Sequence, residues 1–95
     1  MKEVLFFYIP TCSHSAQAVA DIEEIKKEYP QYANIVIRKV DETLNPAFAD
    51  MFDYNYVPCM YVDGVKYIEG DCDKEKILEM FKAIAGWKQN IKPKQ

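Results

Sequence analysis

Cys12 is the residue best placed for chemistry. It stands in Tyr8-Ile9-Pro10-Thr11-Cys12-Ser13-His14-Ser15, directly after the apolar run Val4-Leu5-Phe6-Phe7-Tyr8-Ile9 and directly before a long helical pattern. A cysteine at the turn from a buried strand into a helix meets unpaired backbone N–H groups and the positive end of the helix dipole. Both favour the thiolate, which is the nucleophilic form. His14, two residues on, would lower the thiol pKa further as an imidazolium; the plainer reading is an exposed helix residue without a role. Three residues on, where a dithiol pair would have its second cysteine, stands Ser15. Its hydroxyl can donate to a thiolate on the same helix face, but it cannot resolve a mixed disulfide as a thiol does. An ordinary first-turn serine is the plainer alternative.

The other two cysteines sit in different surroundings. Cys59 opens the apolar run Cys59-Met60-Tyr61-Val62 and reads as core; the sharper alternative is a disulfide with Cys12. That bond would need the two Cα atoms within about 7 Å and the side chains facing each other. Cys72 reads as a loop or helix-start residue, with a secondary reactive thiol as the alternative. Cys12, His14, Cys59 and Cys72 match no zinc spacing, so no metal is expected. Three cysteines at irregular spacing argue against a disulfide framework and for thiols in a reducing compartment.

The 95 residues suffice for one small domain, expected over 1–87 with a basic tail at 88–95 carrying Lys88, Lys92 and Lys94. A net charge of -3 speaks against a nucleic-acid partner held by phosphate contacts. The apolar run after Lys2 and Glu3 is too short for a signal segment or a membrane span, so a cytoplasmic monomer away from membranes is the expectation.

The elements that must position Cys12 follow from periodicity. Residues 3–9 read as a fully buried strand. Residues 13–29 read as a helix with Ala18, Ile22, Ile25 and Tyr29 on one stripe, stopped by Pro30. Ile35–Val40 is a second strand and Asp41–Asn45 a loop, with Asp41 and Glu42 at a solvated strand end. Pro46 starts a short helix expected to reach Phe52 with Phe48, Met51 and Phe52 turned inward. Tyr54 and Tyr56 precede Pro58 and either pack or rim a groove. A third strand over 59–62 turns at Asp63-Gly64 into a fourth over 65–69. Asp73 caps a last helix with Ile77, Phe81 and Ile84 on one face, and Gly86 is placed to end it. The order β-α-β-α-β-β-α makes the first two strands parallel and the last two a hairpin. The expected fold is α/β: a four-stranded mixed sheet flanked by three helices.

This order resembles the thioredoxin fold in its small, glutaredoxin-sized form. Four pieces carry the resemblance: Thr11-Cys12-Ser13-His14-Ser15 in the place of Cys-x-x-Cys, Val40-Asp41-Glu42-Thr43-Leu44-Asn45-Pro46, Tyr56-Val57-Pro58 in the place of the cis-proline loop, and Val62-Asp63-Gly64 followed by a strand ending in Gly70. The Asp41-to-Gly70 segment is most similar to small bacterial thioredoxin- or glutaredoxin-related proteins.

The resemblance implies thiol–disulfide exchange, with Cys12 attacking. A cis Pro58 and Val57, joined by Tyr56, Thr11 and Ser13, would line the binding surface for an extended disulfide-containing peptide or for glutathione as co-substrate. With Ser15 in the resolving position, three routes stay open: an external thiol such as glutathione, Cys59, or a cysteine that Ser15 has replaced, in nature or by engineering. Glutaredoxins carry a lysine before the active cysteine, which Tyr8-Ile9-Pro10-Thr11 lacks. Gly70-Asp71-Cys72-Asp73 is similar to the stretch with which they meet glutathione. Two rivals remain: a peptide-binding adaptor without turnover, and an iron–sulfur carrier. The second is disfavoured because Cys-Ser-His-Ser lacks the Gly-Phe of cluster-binding relatives.

Overall fold

The centre of the sheet is β1 (Glu3–Tyr8), and its alternation sets the layers of the molecule. In the computed structural model, residues 3–70 and 72–89 are described, with side chains as far as Ala85. β1 pairs in parallel with β2 (Val36–Asp41) and antiparallel with β3 (Cys59–Val62), and β3 pairs antiparallel with β4 (Val65–Glu69). The sheet order is β2-β1-β3-β4. Asp63 and Gly64 turn the β3–β4 hairpin with φ of 53° and 84°. Two successive positive φ values give the backbone twist that a two-residue hairpin needs.

Successive side chains of a strand point to opposite faces. Val4 and Phe6 therefore enter one core with Ala18, Ile22 and Ile25 of α1 (Ser13–Glu28) and Ile77, Met80, Phe81 and Ile84 of α3 (Lys74–Gln89). Phe7 enters a second core on the other face with Val40, Cys59, Tyr61 and Ala49 of α2 (Pro46–Ala49). Phe6 and Phe7 are both fully buried, and burial of each contributes about 1.5–3 kcal/mol. The apolar stripes expected on the two long helices are the faces that pack. Asp73 caps α3 as its residue type suggests: its Oδ1 accepts the Lys76 N–H at 2.9 Å. Lys74 then ties α3 to α1 by donating to Glu24 at 2.6 Å and Glu28 at 3.0 Å.

Two expectations need correction, and one further element was not expected. α2 is a single turn, not a helix to Phe52. Past Ala49 the chain tightens into i→i+3 bonds from Met51 to Phe48 and from Phe52 to Ala49, which keep Phe52 on Phe7 and Tyr61 and leave Met51 outside. Met51 is consequently exposed, whereas Phe52 is half-buried and the Phe48 ring, though partly exposed, turns inward onto Phe7 and Phe52 with centroids 6.1 and 5.3 Å away. Pro30 opens a short 3-10 turn (Pro30–Tyr32) whose Tyr32 ring is buried against Phe81, an anchor the periodicity did not show. α3 continues through Gly86 to Gln89. An interior glycine costs a helix only about 1 kcal/mol relative to alanine, which the flanking turns absorb. Residues 88 and 89 thus belong to the helix, and 90–95 lie outside the described residues.

Candidate functional site

Cys12 is the N-cap residue of α1, with extended backbone at φ -82° and ψ 124°. The preceding turn closes with the Cys12 N–H donating to Ile9 C=O at 3.0 Å, and the helix opens with Ala16 N–H on Cys12 C=O at 3.0 Å. An N-cap side chain stands over the first, unpaired N–H groups of its helix. Here that side chain is a half-exposed thiol. The Ser15 N–H is the main cause that lowers its pKa, assisted by the Ser15 hydroxyl and the His14 N–H and opposed by partial burial. No acidic residue in the first turn competes for these donors.

Ser15 is almost completely buried behind the sulfur. Its Oγ accepts the Ile9 N–H at 3.4 Å, which leaves its own proton for Cys12. The Ile9–Pro10 turn, Ser15 and Cys12 thus form one local unit. Thr11, Ser13 and His14 are exposed around it.

The opposite wall comes from the segment before β3. Phe7 pairs with Cys59, so the chain leaving β1 at Tyr8 and Ile9 runs beside the chain arriving at Cys59 through Val57 and Pro58. Ile9 and Val57 line the same cavity, of about 330 Å3, together with Glu42, Asp50, Tyr54 and Asn55. The Val57–Pro58 peptide bond is cis. Pro58 is buried, Val57 half-buried and Tyr56 exposed at the rim. Tyr54 stacks on Phe7 with ring centroids 5.0 Å apart and donates its hydroxyl to Glu42 at 2.6 Å. The structure therefore brings Thr11–Ser15 to the same end of the sheet as Tyr56–Pro58.

Cys59 is not part of this unit. Strand alternation turns it into the α2-side core with Phe7 and Tyr61, whereas α1 packs on the other face. All three cysteines are thiols, so the Cys12–Cys59 disulfide is not formed. Burial, with the Glu69 carboxylate adding to it, pushes the Cys59 thiol up to about 12. Cys72 is half-buried against the α1–α3 core. Among the described residues, no three His, Cys, Asp or Glu side chains gather as metal ligands, and no helix is long and apolar enough to cross a membrane.

Two contributors escaped the sequence reading. Ile9 acts through its backbone N–H on Ser15, which residue type does not announce. Glu69, at the end of β4, accepts the backbone N–H groups of Asn55 and Tyr56. Its partners lie 14 and 13 residues away, beyond any local pattern.

Protein disulfide-isomerase of Ricinus communis is 35% identical to the chain over 82 residues, which cover 81% of this chain and 16% of that protein. Protein disulfide-isomerase A4 of Bos taurus is 30% identical over 92 residues, covering 88% of this chain and 14% of that protein. The chain therefore spans about a sixth of the length of these relatives. Among solved structures, thioredoxin-2, described as a component of malaria parasite protein secretion machinery, superposes with a TM-score of 0.70 at 17% identity, over 87% of this chain and 82% of that one. Thioredoxin O2 of Arabidopsis thaliana in the oxidised state gives a TM-score of 0.64 at 21% identity, over 88% and 75%. Both share the fold. The family model for thioredoxin matches residues 2–83, nearly the whole of the described sheet and helices, and the chain belongs to the thioredoxin family.

Proposed function

We propose that this chain carries out thiol–disulfide exchange through Cys12 alone. The observation that carries the reading is a half-exposed thiol at the N-cap of α1 with its pKa lowered by the Ser15 and His14 donors. The Cys12 thiolate attacks one sulfur of a substrate disulfide. A new S–S bond forms to Cys12, the old one breaks, and the departing sulfur leaves as a thiolate that takes up a proton. A disulfide-containing protein lies extended along Tyr56, Val57 and Pro58, with Thr11 and Ser13 on the other side. Ser15 supports the thiolate but has no thiol to attack the mixed disulfide, and Cys59 is buried in the opposite core. Release therefore falls to an external thiol such as glutathione. Its thiolate attacks the substrate sulfur of the mixed disulfide and frees Cys12. Kinship with protein disulfide-isomerases over most of the chain supports the same chemistry. The odd number and irregular spacing of the cysteines fit a reducing, cytoplasmic setting, in which the chain acts as a monomer.

The test is reaction of the reduced protein with limiting oxidised glutathione at neutral pH, followed by peptide mass mapping. A glutathione adduct confined to Cys12 is the expected result. An unmodified Cys12, under conditions where a model thiol reacts, would overturn the reading and favour an adaptor that binds peptides without exchange.

A further inference from the structure

The loop from Asp53 to Pro58 is held at its place by the end of β4, and one carboxylate does most of the holding. Glu69 Oε2 accepts the backbone N–H groups of Asn55 and of Tyr56, the latter at 3.1 Å. Glu69 Oε1 accepts from Lys66 Nζ at 2.8 Å. Lys66 also donates to the Asp53 carbonyl at 3.1 Å, which the Tyr61 hydroxyl meets at 2.7 Å. The next residue, Gly70, donates its N–H to the Pro58 carbonyl at 2.8 Å. Gly70 has φ +82°, and a Cβ placed there would stand 3.3 Å from Tyr56 Cβ, so the Tyr56 side chain lies against this turn.

These contacts divide into two groups. Tyr61 and Lys66 anchor the start of the loop and Gly70 anchors its end, while in the middle, which carries the exposed Tyr56 and leads to Val57, the Asn55 and Tyr56 backbone N–H groups both go to Glu69. Hydrogen bonds to an ionised acceptor are about twice as strong as neutral ones, so the carboxylate suits this task better than an amide would.

We infer that Glu69 is a positioning residue for disulfide substrates: through the Asn55 and Tyr56 N–H groups it fixes the backbone and the aromatic rim on which a peptide docks beside Cys12. The inference rests on the exchange reading proposed above. Glu69 acts on docking and not on the sulfur, whose donors all belong to the first turn of α1.

The experiment uses the whole chain as wild type, Glu69→Ala and Glu69→Gln. A synthetic peptide carrying an aromatic disulfide is titrated against reduced protein in single turnover. The rate of mixed-disulfide formation at Cys12 yields a half-saturating concentration and a limiting rate. Iodoacetamide is then used on the same proteins to read Cys12 without docking. Glu69→Ala should raise the half-saturating concentration about tenfold or more, because two charge-assisted bonds that hold the docking backbone are lost, with the limiting rate and the iodoacetamide rate unchanged. Glu69→Gln keeps an acceptor oxygen without the charge and should give an intermediate half-saturating concentration. An unchanged half-saturating concentration in Glu69→Ala would overturn the inference. So would a parallel fall in the iodoacetamide rate, which would mark general damage to the fold. A wild-type protein that reacts with iodoacetamide but never with the peptide would instead overturn the exchange reading, and the role of Glu69 with it.

Discussion

Cys12 and Cys59 lie at the same end of neighbouring strands, yet their environments push them in opposite directions. Cys12 sits past the end of β1, at the first turn of a helix, where backbone donors stabilise its anion. Cys59 sits inside the sheet at residue-to-residue register with Phe7, fully buried, and its thiol is pushed up to about 12. One residue type thus meets two environments, a helix N-cap that favours its anion and a sheet core that disfavours it. The same contrast holds for oxygen: Ser15 is buried but aimed at the sulfur, and it supports chemistry that it cannot itself perform.

The largest effect that tests this contrast is removal of the thiol. Cys12→Ser should abolish mixed-disulfide formation in a peptide-mapping assay, whereas Cys59→Ala should leave it intact and instead lower stability by about 1–3 kcal/mol in urea unfolding. Phe7→Ala, which empties the centre of the core around Cys59, should destabilise by about 3–5 kcal/mol with thiol labelling of Cys59 as the accompanying sign.

The alkaline limb should separate the two thiols next. Unfolded Cys59 ionises near 9, while folded Cys59 keeps its proton to about 12. Above the unfolded pKa the unfolded state binds fewer protons, so stability falls as pH rises through that window, by up to about 1.4 kcal/mol per pH unit. Tyr54 and Tyr61, both raised, act in the same direction, so the comparison is with Cys59→Ala, in which the slope should be shallower. Cys12 has the opposite sign. Its folded pKa is lowered, so its contribution is present above the unfolded value and is lost as pH falls through the folded one.

Smaller still is the effect of Ser15→Ala. It should slow Cys12 alkylation at neutral pH by several-fold and move its inflection upward, because one donor to the thiolate is lost while the Ser15 and His14 N–H groups remain. An unmoved inflection would mean that the hydroxyl does not reach the sulfur. The smallest effect belongs to Glu69, whose folded pKa is lowered by Lys66 first and then by the Asn55 and Tyr56 N–H groups. Its stabilising contribution is full above about 4.5 and is lost as pH falls through the lower folded value, a loss that Glu69→Gln should not show in acid unfolding.

What the sequence disclosed is what local physics determines. The run before Pro10 read as a buried strand, Asp63-Gly64 as a hairpin turn, and Cys12 as a residue at the entry to α1, and the structure has all three. The stripe of α1 was legible because 16 residues give the period several repeats. The extent of α2 was not, because a four-residue helix has no repeat to read, and Met51, which lies past its end, faces solvent. Gly86 misled because a glycine ends a helix only where the chain requires a left-handed turn. Cys59 admitted two readings until the register placed it in the core opposite α1. Glu69 carried no signal at all, since its role depends on two backbone amides brought to it by the return of the chain from β4.

The central claim is that environment makes Cys12, and not Cys59, the reactive thiol. Iodoacetamide labelling of the native protein from pH 6 to 10, with each cysteine quantified by its own peptide, tests it directly. Cys12 should show an inflection below that of an ordinary thiol, and Cys59 should stay unlabelled throughout. A Cys12 that titrates at or above the ordinary value, or a Cys59 that labels as fast as Cys12, would contradict the claim.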